Sequence, residues 1–166
     1  MPSLRRVLNE IASTRGCSLE PPAGLPALPH GFQLPLDLQA FYAVAGGATL
    51  FRGADFQFNI LAPSGVVPTN LRLVGNANTG DISDQWFTVA DDSNGDYLSI
   101  DLGVAHHGRC YDSFHETHAL VGSTPVIASS FTDLLVQLLA NGGAHPYWLV
   151  TEFTSLGDAY DGTSEA

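Results

Sequence analysis

Two stretches of this chain hold residue types that carry chemistry in other proteins. One is His115-Glu116-Thr117-His118, with Asp112 before it and His106, His107 and Cys110 further upstream. The other is Asp91-Asp92-Ser93-Asn94-Gly95-Asp96, followed by Asp101. A zinc-peptidase helix needs His at i and i+4 on one face, with Glu between them as base. Here the histidines of the first stretch are three apart and the flanks give no helical stripe, so metal hydrolysis is not expected. His106, His107 and Cys110 fall in a predicted turn, where neighbouring side chains diverge rather than converge on one ion. The acidic stretch is calcium-like in composition only. With Gly95 at the required glycine, Ala90 takes the first ligand position and no Glu falls on the last. Weak cation binding by the clustered carboxylates stays open. There is no Gly-x-Ser-x-Gly elbow, and a chain without lysine has no phosphate-loop Lys. Paired carboxylates could work as acid and base, but these sit in a turn with no apolar pocket in view to raise a pKa. No catalytic residue, metal or cofactor is assigned. An enzyme built on His106, His107, Cys110, His115 and His118 stands last among the readings.

The element that positions the acidic stretch is a β-hairpin over residues 86–102. Phe87 and Val89 alternate with Trp86, Thr88 and Ala90; Leu98, Ile100 and Leu102 alternate with Tyr97, Ser99 and Asp101. Period two predicts two strands with one buried face. Asn94-Gly95 predicts the turn, because both residues tolerate positive φ. Four aspartates on one hairpin repel one another unless a partner uses them.

Around it, Leu4, Val7, Leu8 and Ile11 predict a first helix capped by Ser3. Residues 20–35 carry Pro21, Pro22, Pro26, Pro29 and Pro35 and predict an extended connector lying across the surface. Leu38, Phe41, Tyr42 and Ala45 form the stripe of a second helix, with Pro35 and Asp37 at its start and Gly46-Gly47 as a left-handed cap. Residues 48–52 and 56–61 predict two strands, and 109–112 a short one. Ser130 and Asp133 open a last helix carrying Phe131, Leu134, Leu135, Leu138 and Leu139, closed by Asn141-Gly142-Gly143. Residues 147–153 are apolar enough to dock back. Helices at both ends with strands between them predict an α+β domain, a mostly antiparallel sheet flanked by helices. The domain is expected over residues 1–154, with an acidic tail, 155–166, that frays.

The 166 residues include seventeen Asp and Glu against six Arg, for a formal net charge of -11. Such a field repels nucleic acid and favours a basic protein. Cys17 and Cys110 have no short spacing, which argues against a disulfide framework or a zinc ribbon. The start has no apolar run behind its arginines, and no later stretch is long enough to span a bilayer. The expectation is a cytoplasmic protein with reduced thiols and neither a nucleic-acid nor a membrane partner.

Four pieces recur in one order: Leu34-Pro35 leading a helix to Gly46-Gly47; Trp86-Phe87-Thr88-Val89-Ala90 running into the acidic turn and Tyr97-Leu98; Gly108-Arg109-Cys110-Tyr111-Asp112-Ser113-Phe114-His115-Glu116; and Ile127-Ala128-Ser129-Ser130-Phe131-Thr132-Asp133-Leu134-Leu135. Over residues 30–140 the chain resembles the SMI1/KNR4 family of the SUKH superfamily. It departs from the family's usual Asn-Gly-Gly helix end, with Ala45 in place of Asn. The resemblance implies a sheet flanked by helices and no catalytic residues. In bacteria it implies an immunity protein that binds and blocks a cognate protein toxin. In fungi it implies a regulatory or scaffold role, so an adaptor with a non-toxin partner is the alternative. The carboxylates expected to bind the partner are Asp91, Asp92, Asp96, Asp101, Asp112 and Glu116. Reversing Asp91 and Asp92 to Arg is expected to weaken binding with little change in stability.

Overall fold

The computed structural model describes residues 1–163. The alternating residues of the hairpin form β4 (Trp86–Asp91) and β5 (Tyr97–Asp101). They are the middle of a seven-stranded antiparallel meander, in which every strand pairs with the next in the chain. Before them lie β1 (Ser18–Leu19), β2 (Ala48–Leu50) and β3 (Phe58–Ile60). After them come β6 (Cys110–Ser113) and β7 (Val126–Ala128). The α+β expectation holds. The short β1 and β7 carry too few residues to show a period in sequence.

The hairpin departs from strict alternation at one point. Phe87 faces Ile100 and Ala90 faces Leu98, with the register shifting between Thr88 and Ala90. A bulge there puts two residues against one. It turns Ala90 into the main core beside Phe87 and Val89, rather than onto the side of Trp86 and Thr88. The turn differs too. Ser93 and Gly95, not Asn94, take positive φ, at 64° and 94°.

Four helices complete the chain: α1 (Leu4–Ser13), α2 (Leu36–Val44), α3 (Thr69–Leu73) and α4 (Phe131–Asn141). Val7 and Ile11 of α1, Leu38 and Phe41 of α2 and Phe131, Leu134 and Leu135 of α4 bury into the main core on one sheet face. Ser3 caps α1, its Oγ accepting from the Arg6 amide, and Ser130 caps α4, accepting from the Asp133 amide at 3.0 Å. Asp37 does more than open α2. Its Oδ1 accepts from the Leu38 amide, while its Oδ2 accepts from the Thr132 amide and hydroxyl at 2.8 and 3.0 Å, tying α2 to the first turn of α4. Gly46-Gly47 is not a left-handed cap: α2 ends on Ala45 in extended conformation. The pair is required by close approach, because a Cβ on Gly46 would meet the Pro21 carbonyl and one on Gly47 the Ile60 carbonyl at 2.8 Å.

The sheet buries both faces, not one. Behind Trp86, a second cluster joins Trp86, Tyr111, Val126 and Ala159, with Ile82, Ala119 and Tyr160 against it. The polar residues of this face satisfy each other: Ser99 Oγ lies 2.8 Å from Thr69 Oγ1 and 2.6 Å from Ser113 Oγ. Part of the expected frayed tail belongs to this layer. Ala159 is fully buried, the Val126 amide donates to the Gly157 carbonyl at 2.9 Å, and the Thr124 amide donates to Asp158 Oδ2 at 2.8 Å. These bonds hold Gly157, Asp158 and Ala159 against the domain despite the tail's small, acidic composition. Residues 164–166 lie outside the described residues.

Candidate functional site

The meander brings the start of β3, the end of β4, the start of β5 and the end of β6 to one end of the sheet. A groove of about 460 Å³ opens there. Phe56 and Phe58 come from β3 and its approach, Tyr97 and Leu98 from β5, and Phe114 from the loop after β6. Trp148 closes it from a 3-10 turn over Tyr147–Leu149, its ring edge-on to Phe58 at 5.9 Å. That turn is the docking form of the apolar 147–153 segment. Into these aromatic walls project Asp92, Asp96 and Asp112.

The six expected carboxylates have different fates. Asp91 Oδ1 accepts from the Ser93 amide at 2.9 Å and from Asn59 Nδ2 at 2.8 Å. Asp92 Oδ1 accepts from the amides of Asn94 and Asp96, at 2.8 and 3.0 Å. Both therefore hold the turn as Asx side chains do, and reversing them to Arg would cost stability, contrary to the expectation. Asp96 Oδ1 accepts from the His115 amide at 2.9 Å and meets His115 Nδ1 at 2.8 Å. Asp112 stands across from Leu98 on the face that elsewhere is core. Its Oδ2 accepts from Trp148 Nε1 at 3.0 Å and its Oδ1 from the Phe114 amide at 3.2 Å. Glu116 is exposed beside His115. Asp101 is not on this rim. It is 3% exposed at the opposite end of the hairpin.

Burial pushes the Asp112 carboxyl up to about 6; bonds from Trp148 and Phe114 oppose this, and the nearby Asp96 and Asp92 charges add to it. The hydrogen bond to Asp96 raises the exposed His115. Among the described residues the ion pairs within 4.0 Å all involve histidine: His115 with Asp96 and Glu116, and His106 with Asp101. No arginine pairs with a carboxylate there.

The model of the SMI1/KNR4 family (SUKH-1) matches residues 28–137, which contain the hairpin, the acidic turn and most of the groove. The chain belongs to the SMI1/KNR4 family. Immunity protein YokJ of Bacillus subtilis (strain 168) is 46% identical to it over 160 residues, spanning 96% of this chain and 97% of the relative. No solved structure matches the chain.

In this SMI1/KNR4 domain the other end of the hairpin is a locked polar centre. Tyr111 Oη donates to Asp101 Oδ2 at 2.8 Å, the Gly103 amide donates to Oδ1 at 2.8 Å, and His106 Nδ1 stands 3.9 Å away. The histidine stretch does not converge. His115 goes to Asp96, while His118 Nε2 lies 2.6 Å from Asn70 Oδ1 on the second core. Since Asn70 Oδ1 can only accept, His118 donates to it through Nε2–H. Burial pushes it down to about 4, against the opposing pull of Asp81. Cys110 is fully buried, its thiol near the carbonyls of Gly108 and Ser130. Among the described residues no three His, Cys, Asp or Glu side chains are grouped to hold a metal. The aromatic half of the groove was missed from sequence. Its one available signal was Trp148 after Pro146, in a segment too apolar to be free.

Proposed function

We propose that this chain is a non-catalytic immunity protein that binds and neutralises a cognate protein toxin, and that the groove end of the sheet is its binding face. One observation carries the reading. Asp92, Asp96 and Asp112 line an aromatic groove, Glu116 stands beside it, and no arginine among the described residues neutralises any of them. Acidity without an arginine partner, around a half-buried aromatic groove, is the complement of a basic protein, and long-range attraction speeds such an encounter. The near full-length likeness to Immunity protein YokJ supports the same reading. No helix among the described residues is long and apolar enough to cross a membrane, and we place the protein in the cytoplasm, where an intracellular toxin acts.

The test is protection. A candidate toxin taken from the genes beside this one is expressed in cells with and without the chain, and the chain is used as bait in the native organism. Growth restored by the chain, with the toxin recovered on the bait, is the expected result. Cells that die equally in both cases overturn the immunity reading, and recovery of a different partner in their place favours an adaptor.

A further inference from the structure

We infer that the groove takes an arginine side chain of the protein partner, its guanidinium held by Asp92, Asp96 and Asp112 and its methylenes lying against Phe58 and Trp148. The inference rests on the toxin-binding reading above and names the anchor of that contact.

The acceptors are in place and partly unused. Asp92 and Asp96 each commit Oδ1 to the protein, while neither Oδ2 has a hydrogen-bond partner among the described residues. Each Asp112 oxygen holds one donor and has a second lone pair. Among the described residues no arginine reaches these carboxylates, and His115 engages Asp96 only through Oδ1. Arg72, beside Tyr97, stacks 4.8 Å over that ring and donates to its hydroxyl at 3.1 Å instead of reaching a carboxylate. Asp112 is set on a core-facing strand position between Leu98 and Trp148, where burial opposes its charge. An inserted cation removes that opposition.

Arginine suits this setting better than lysine. Its guanidinium is planar and weakly hydrated, lies on aromatic faces, and forks to two carboxylate oxygens at once. A protein supplies it rather than a free small molecule, because the rim is apolar and open. Leu149 lines the groove at 72% exposure, and Val121, in the loop that contributes Thr117 and Ser123 to the wall, is 71% exposed. A partner surface would cover both.

The Trp148 indole N–H bonded to Asp112 gives a direct readout, and the chain's other tryptophan, Trp86, is buried in the second core. The full chain, labelled with 15N, is titrated with N-acetyl-arginine amide and with its uncharged citrulline counterpart, Trp148→Phe assigning the resonance. The expected result is a saturable shift of the Trp148 indole with a millimolar dissociation constant for the arginine probe. The citrulline probe, and the arginine probe on Asp96→Asn or Asp112→Asn, should each bind at least about tenfold more weakly. Equal response to both probes, or unchanged binding by both variants, overturns the inference. The same variants are then measured against the toxin. A loss of affinity of about 100-fold in either variant, with its melting temperature kept, supports the anchor. Unchanged toxin affinity in both overturns the anchor and leaves the immunity reading standing. Failure of the unmodified chain to protect cells overturns that reading, while the probe titration still reports on the groove.

Discussion

The two ends of the β4–β5 hairpin use the same residue type in opposite ways. At one end Asp101 is enclosed, with the Tyr111 hydroxyl on one oxygen and the Gly103 amide on the other. Behind it lies the second core, with Trp86, Tyr111 and His118. At the other end Asp92, Asp96 and Asp112 sit on a groove, and among the described residues Asp92 and Asp96 each keep Oδ2 free. The difference is not in the carboxylates but in the donors around them. Where the fold brings buried donors to an aspartate, the aspartate is part of the framework. Where the donors gather on one oxygen beside aromatic walls, as on Asp92 and Asp96, the other oxygen is left for something outside the molecule.

The contrast breaks most sharply at Asp101. Asp101→Ala leaves two buried donors, the Tyr111 hydroxyl and the Gly103 amide, without an acceptor. At about 1–3 kcal/mol for each, a loss of roughly 3–5 kcal/mol is expected in urea unfolding at pH 7. A loss below about 1 kcal/mol would show that this end is not locked.

A second effect, about 3 kcal/mol, belongs to His118. Its folded pKa, about 4, lies below its ordinary value, so its contribution is present above pH 6.5 and is lost as pH falls toward 4. His118→Gln should flatten that loss, seen as a stability gap from the unmodified chain that changes between pH 7 and pH 4.5. A constant gap would place His118 in contact with water.

The smallest effect has the opposite sign. The folded pKa of Asp112 is raised to about 6, so its contribution is full at pH values below the unfolded value and is lost as pH rises through 6. Above that, holding the charge costs roughly 3 kcal/mol. Asp112→Asn relieves it but gives up one acceptor, for a net gain of about 1 kcal/mol at pH 8 that disappears by pH 4. The check is the urea midpoint of both proteins at the two pH values. Destabilisation at pH 8 would mean that Asp112 is structural, like Asp101. The two titrations run in opposite directions over nearly the same window, so they partly cancel in the unmodified chain and separate only in the single variants.

Local chemistry made much of the framework readable from the residues. Ser3, Ser130 and Gly142 mark helix ends through short-range bonds and backbone freedom, and the 86–90 and 97–102 alternation marks strands by its period. What was not readable depends on distant partners. Thr69, Ser99 and Ser113 look like a solvent face because each is polar; together they form a buried chain of hydroxyls. The bulge beside Val89 carries no glycine or proline to announce it. Asp101 joined the hairpin's acidic set by proximity in sequence, yet Tyr111 from the next strand decides its role. The groove draws on β3, β5, the loops flanking β6 and the turn holding Trp148, so no single stretch displays it.

The docking of residues 155–163 has a consequence for how the molecule meets its own copies. β7 is one of the two edge strands of the sheet, and an uncovered edge strand offers its amides and carbonyls to any passing chain. Gly157 and Asp158 occupy that flank, accepting from Val126 and Thr124, with Pro125 bridged to Asp158. The segment covers hydrogen-bonding groups that this flank would otherwise leave open, and a shortened protein ending at residue 154 would present a bare, adhesive margin in its place.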